Sequence, residues 1–105
     1  MLAVINQLAV KAEWLDKIEA SFLENIADLE NEPGFAGFRF LKPLDPDKNA
    51  CIVETYWQDS AAFENWKQSE HFKKSHAGMG QFREAFRAPP QFGQFHVSRD
   101  MPLRV

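Results

Sequence analysis

Hydrophobic positions recur along this chain with two different periods, and the switches between them mark out its elements. Over residues 2–10 the period is two: Leu2, Val4, Asn6, Leu8 and Val10 share one face, and Ala3, Ile5, Gln7 and Ala9 the other. That alternation predicts a strand. From 12 to 30 the steps become three and four, so that Leu15, Ile18, Phe22, Ile26 and Leu29 form an apolar stripe opposite acids and Lys17. This predicts a helix, stopped by Glu32-Pro33-Gly34. A second strand is predicted over 35–43, with Phe35, Gly37, Arg39 and Leu41 on one face and Phe38 and Phe40 beside Arg39. Pro43 and Pro46, with Asp45, Asp47 and Asn49, predict a hairpin loop. A third strand is predicted over 50–57. Asp59 and Ser60 are N-cap candidates for a helix reaching Trp66 or Lys67, and Ser69 for another running through Phe72 and His76. Gly78 and Gly80 loosen the chain, a short helical piece is expected over 81–87, and a last strand over 91–99.

The order β-α-β-β-α-β fits an α+β, ferredoxin-like layer: four antiparallel strands with helices on one face. At 105 residues the chain is read as one domain, 1–105. Such a layer leaves one sheet face bare, and a second copy packed sheet against sheet across a twofold axis would cover it. A homodimer with a barrel-like core is therefore expected. Ten Phe and three Trp in so short a chain agree, because that much aromatic surface needs a ligand or a partner.

Charge and cysteine content narrow the function classes. Net charge is −3 and no basic run exceeds Lys73-Lys74, so a nucleic-acid footprint is absent. The longest apolar run is too short to span a bilayer, and MLAVINQLAV lacks the basic start and cleavage site of a secretion signal. Cys51, the sole cysteine, excludes an internal disulfide and fits a reducing cytoplasm. Its place at the head of CIVETYW suits a small packed strand residue. Metal, nucleotide and hydrolase motifs of the CxxC, HExxH, GxGxxG, P-loop and GxSxG kinds are missing.

Three side chains stand out. His76 follows Phe72 by four residues on one helical face, placing a neutral imidazole, the usual proximal ligand of haem iron, on an apolar stripe beside flexible glycines. His71 and His96 sit on polar faces. Trp66 follows Phe63 by three on the inner face of its helix, either as a core residue or as a wedge against a flat cofactor. Asn6 interrupts an apolar strand face. A buried amide without partners costs about 1–3 kcal/mol, so it is either satisfied by a neighbouring strand or kept as a hydrogen-bond donor for a ligand. Trp14 and Trp57 read as packing residues.

The stretches EPGFAGFRF, ETYW and WQDSAAFENWKQSEHFKKSH resemble the antibiotic-biosynthesis monooxygenase superfamily, over nearly the whole chain. Asn6, Trp66 and His76 resemble the Asn–Trp–His set of its bacterial haem-degrading monooxygenases, the staphylococcal haem-uptake type. The resemblance implies a dimeric α/β barrel of ferredoxin-like protomers. It implies haem as both substrate and cofactor, oxidised by O2 with electrons from an external donor, here an unidentified reductase, with iron released. His76 would then be the axial ligand, Trp66 would ruffle the porphyrin and Asn6 would hydrogen-bond the distal oxygen species. Phe22, Phe63 and Phe72 are expected along the pocket, and Lys73 and Arg83 as propionate partners. Two other readings stay open: a cofactor-independent monooxygenase acting on an aromatic polyketide or quinol, and a non-catalytic haem carrier or sensor.

Overall fold

The computed structural model describes residues 1–70, 72–73 and 78–104, and side chains throughout these except at 25, 26 and 78–81. Four strands, β1 (Leu2–Leu8), β2 (Phe35–Leu41), β3 (Cys51–Trp57) and β4 (Gln91–His96), form one antiparallel sheet in the order β2-β3-β1-β4. Two α-helices, α1 (Leu15–Leu29) and α2 (Ser60–Lys67), accompany it. The fold is the ferredoxin-like α+β layer that the element order predicts.

The elements begin and end where local chemistry allows. A 3-10 turn at Ala12–Trp14 leads into α1. Ile18 and Leu29 on the stripe of α1 are buried, and Leu15 and Phe22 pack against the core beside Ile18. After α1 the chain turns at Gly34, whose φ of 82° lies in the left-handed region that glycine enters without strain. Asp59 caps α2 as expected, its carboxylate accepting from the Ala62 N–H at 2.9 Å. The Ser69 hydroxyl accepts from Phe72 N–H at 3.2 Å, as a cap would. The rest of the helix expected through His76 lies outside the described residues. The piece expected over 81–87 is instead a 3-10 segment, Gly78–Ala85, broken at Phe82.

The register decides which side chains meet. Leu2, Val4, Asn6 and Leu8 of β1 pair with Trp57, Thr55, Val53 and Cys51 of β3, and so share the helix-covered face. On β2 a bulge between Phe35 and Gly37 brings Phe35, Phe38 and Phe40 to this same face. The expectation that Phe35 shares a face with Gly37, Arg39 and Leu41 is corrected by that extra residue. The opposite face carries Ala3, Ile5, Ile52, Glu54, Tyr56, Arg39, Leu41 and Phe95.

Under the helices the core divides in two. One cluster gathers Leu8, Val10, Ile18, Cys51, Val53 and Ala85, with Phe22, Phe40, Trp14 and Phe82 packed on it. The other gathers Leu2, Val4, Leu29, Trp57 and Phe63, with Phe35, Ala62 and Trp66 packed on it. Asn6 sits on β1 between Val4 of one cluster and Leu8 of the other.

Candidate functional site

Asn6 pairs with Val53 on one side and Phe92 of β4 on the other, and is half-buried. Among the described residues no hydrogen-bond partner satisfies its side-chain amide. An amide at a break in an apolar core is thus free to serve a ligand, since it offers two N–H donors and an acceptor and does not titrate.

Beside it α2 builds an aromatic wall. Phe63 is buried, as its helical spacing predicts. Trp66 lies 6.0 Å from Phe63, 5.4 Å from Trp57 and 4.8 Å from Phe72 between ring centroids, the last edge-on at 88°. Trp66 is only half-buried. The fully buried Trp57 behind it holds its indole in place, and the Trp57 N–H is satisfied by Thr55 Oγ1 at 3.1 Å. Phe92 stacks on Phe63 at 6.4 Å and 23° yet is 55% exposed, so most of one aromatic face stays open beside Asn6. Sequence reasoning missed Phe92. The period-two alternation of Phe92, Gln94 and His96 gives its face, but its neighbourhood depends on β4 pairing with β1.

The expected site residues fall into three groups. Asn6, Phe63, Trp66 and Phe72 are brought to one half of the helix-covered face, through Phe92 and the Trp66 contacts. Phe22 is placed elsewhere: it packs 5.7 Å from Phe40 of β2, at the far edge of the sheet from β4. His76 lies outside the described residues, as does His71. His96 is exposed.

The candidate cations lie along the chain between α2 and β4. Arg83 is exposed and lines an open groove of about 430 Å3 with Phe86, Arg87, Ala88, Pro89 and Pro90, immediately before β4. Arg87 is committed, donating to the carbonyls of Pro46 at 2.7 Å and Asp47 at 3.3 Å. Lys73 pairs with Glu70 at 3.6 Å on the surface. No cluster of three or more metal-ligating side chains exists among the described residues. The residues present fit a flat, apolar ring system: an aromatic wall with an open face and one unpartnered amide donor beside it.

On the opposite sheet face, Arg39, Glu54 and Tyr56 form a closed polar network. Arg39 Nε lies 3.0 Å from Glu54 Oε1, Arg39 Nη2 donates to the Tyr56 hydroxyl at 2.7 Å, and that hydroxyl donates to Glu54 Oε1 at 2.7 Å. Burial pushes the Tyr56 phenol above its ordinary pKa, with Glu54 adding to the shift and Arg39 opposing it. Burial likewise pushes up the Cys51 thiol.

Comparison with known proteins places this geometry. The sequence profile of the antibiotic biosynthesis monooxygenase family matches residues 1–78. A haem oxygenase (mycobilin-producing) from Mycobacterium tuberculosis is 32% identical over 74 residues, covering 70% of this chain and 69% of that protein. A haem-degrading monooxygenase from Listeria innocua is 36% identical over 63 residues, covering 58% of this chain and 50% of that protein. Among solved structures, a mutant of MhuD with two manganese protoporphyrin IX molecules bound per active site superposes with a TM-score of 0.78 at 26% identity, over 97% of this chain and 99% of that one. SnoaB, a cofactor-independent oxygenase from Streptomyces nogalater, shares the fold with a TM-score of 0.77 at 19% identity, over 97% of both chains. With the ferredoxin-like layer and the profile agreeing over most of its length, the chain belongs to the antibiotic biosynthesis monooxygenase family.

Proposed function

We propose that this protein is a haem-degrading monooxygenase. The observation that carries the reading is the half-buried Asn6 amide, unpartnered among the described residues, beside the aromatic wall of Phe63, Trp66, Phe72 and Phe92. The haem-degrading relatives at 32% and 36% identity support it. Haem, when bound, supplies both the redox-active iron and the ring that O2 oxidises with electrons from an external donor.

The chain's own residues bind, bend and donate. His76 would offer a neutral imidazole nitrogen to the haem iron. Trp66, backed by Trp57, presents a rigid indole that yields little, so a macrocycle pressed against it takes up the distortion. Asn6 donates an N–H where negative charge develops on oxygen, and as a neutral group it does so at any pH near 7. Phe92, 55% exposed, would offer its ring for stacking, and Arg83 would be the cation for a propionate. The protein works as a homodimer, the second copy covering the sheet face that carries Ile5, Ile52 and Phe95.

Titration with haemin followed by reductant in air tests the reading. Stoichiometric binding, then loss of the Soret band with release of chelatable iron, is expected. His76→Ala should change the haem absorption spectrum, and Asn6→Ala should keep binding while slowing ring loss by roughly 100- to 1000-fold, as removal of one charge-stabilising donor does elsewhere. Stable bound haem under reductant and O2 would instead identify a carrier. Oxygen uptake on phenolic substrates without haem binding would identify a cofactor-independent oxygenase.

A further inference from the structure

The network around Tyr56 has no part in that reading, and the buried indole of Trp57 serves there only as a backing for Trp66. Trp57 has no solvent exposure, and its ring lies 5.4 Å from Trp66 with the planes 31° apart. Its N–H donates to Thr55 Oγ1 at 3.1 Å. A hydroxyl is no base at neutral pH, so an oxidised indole held there keeps its proton and remains a strong one-electron oxidant. The preceding residue, Tyr56, is the chain's sole tyrosine. Consecutive Cα atoms are ~3.8 Å apart, and strand alternation sends the phenol to the other sheet face. There its O–H points at Glu54 Oε1, 2.7 Å away. A phenol that loses an electron becomes a very strong acid, and a hydrogen-bonded carboxylate is the acceptor it needs. Glu54 is itself held in place by Arg39 at 3.0 Å.

We infer that Trp66, Trp57 and Tyr56 form a one-electron relay through the sheet, which drains an oxidising equivalent from the Trp66 side and holds it on Tyr56 as a phenoxyl radical. Trp66 gives one electron to the oxidant, Trp57 re-reduces Trp66, and Tyr56 re-reduces Trp57. As its electron leaves, the Tyr56 proton passes to Glu54 Oε1. The sum is one oxidant reduced by one electron, one phenol converted to phenoxyl and one carboxylate protonated. In the protein at work the one-electron oxidant would come from bound haem with a peroxide as co-reactant, and for that alone the inference rests on the haem reading. Trp14 takes no part: it packs edge-on against Phe82 in the other core cluster. The relay would protect the side chains around Trp66 from oxidative damage when ring oxidation misfires.

The test needs no haem. Asn65, exposed on α2 next to Trp66, is replaced in an Asn65→Cys variant and labelled with a ruthenium polypyridyl photo-oxidant; the native thiol, Cys51, is buried. After flash-quench generation of ruthenium(III), transient absorption should show a tryptophanyl signal decaying into phenoxyl, with a tyrosyl hyperfine pattern by EPR. Tyr56→Phe should abolish the phenoxyl and lengthen the tryptophanyl lifetime. Glu54→Gln should cut the phenoxyl yield and make it depend on added buffer base, which a merely structural role would not produce. Trp57→Phe should block the transfer, and if that core variant fails to fold, the other two still decide. A tryptophanyl signal that never passes to Tyr56, or a phenoxyl yield unchanged in Glu54→Gln, overturns the relay. A failure to bind haemin would bear on the haem reading and leave this result standing.

Discussion

Gly34 is where backbone conformation and packing around the site can be separated by measurement. It closes the turn from α1 into β2 at a φ of 82°, and its carbonyl accepts from Gln58 N–H at 2.8 Å. A Cβ built there would run into Ala62 Cβ on α2, well inside van der Waals contact. Gly34→Ala therefore combines two costs. The left-handed backbone costs a non-glycine residue roughly 1–2 kcal/mol. The collision with a helix that cannot easily retreat adds about 1–3 kcal/mol of overpacking. Together they come to about 2–5 kcal/mol, a large part of the 5–15 kcal/mol typical of a whole domain. Ala62→Gly removes the atom that is struck, at about 1 kcal/mol of helix propensity. The double variant should then be more stable than the sum of the two singles by the collision cost alone, about 1–3 kcal/mol, while the backbone cost persists. Urea unfolding of the four proteins with a common slope gives these differences directly. A Gly34→Ala loss below about 1 kcal/mol, or strict additivity, would refute the reasoning. Because α2 carries Phe63 and Trp66, the single variant should also alter tryptophan fluorescence and the double should restore it.

Four further outcomes follow from the same structure. Asp59→Ala removes the cap on Ala62 N–H and should cost about 1 kcal/mol in chemical unfolding, with Asp59→Asn nearly neutral. The Cys51 thiol, fully buried with its pKa pushed up by burial, should react with a disulfide reagent only as fast as the protein opens; fast reaction in native buffer would contradict its placement. The Tyr56 phenol titrates above its ordinary value in the folded chain, so the unfolded chain loses that proton first, and stability should fall as pH rises above about 10, a slope that Tyr56→Phe flattens. Asn6→Leu adds apolar area on β1 between the two core clusters; a gain of about 1 kcal/mol in unfolding free energy is expected, less than the 1.5–3 kcal/mol of full burial because the position is only half-buried.

Periodicity revealed the elements because each face of this layer is covered differently. The alternation over Leu2–Leu8 follows from the large aliphatics packing on the helix-covered face, and the stripe from Leu15 to Leu29 from the one side of α1 that meets the sheet. Where the chain departs from a regular period the reading failed. The bulge between Phe35 and Gly37 adds a residue, and one residue turns Phe35 to the other face, which no count of alternating positions can foresee. Helical spacing placed Phe22 and Phe63 alike on inner faces. It says nothing of which strand lies beneath, and the β2-β3-β1-β4 order sets Phe22 over Phe40 and Phe63 beside Phe92. Asn6 and Trp66 were legible as oddities of residue type; Phe92, and the role of Trp57 as the hub between Phe35, Phe63 and Trp66, were not, since both depend on non-local pairing.

The divided core has a physical consequence for how such a site is maintained. A continuous apolar stripe on β1 would let Leu2, Val4, Leu8 and a sixth-position aliphatic close into one cluster, and the strand would gain stability from it. With Asn6 there instead, the two clusters meet only through shared neighbours: α1 supplies Ile18 to one and Leu29 to the other, and Phe38 of β2 packs against both. A half-buried amide in that position forgoes the burial an aliphatic side chain would give, and local conflicts of this kind persist where function requires them. Trp66 stays half-buried and Phe92 is 55% exposed, although both belong to a wall otherwise packed tightly enough to hide Trp57 completely. Rigidity and openness therefore meet at one contact: the fully buried Trp57 packs 5.4 Å from the Trp66 indole, which itself stays half-buried.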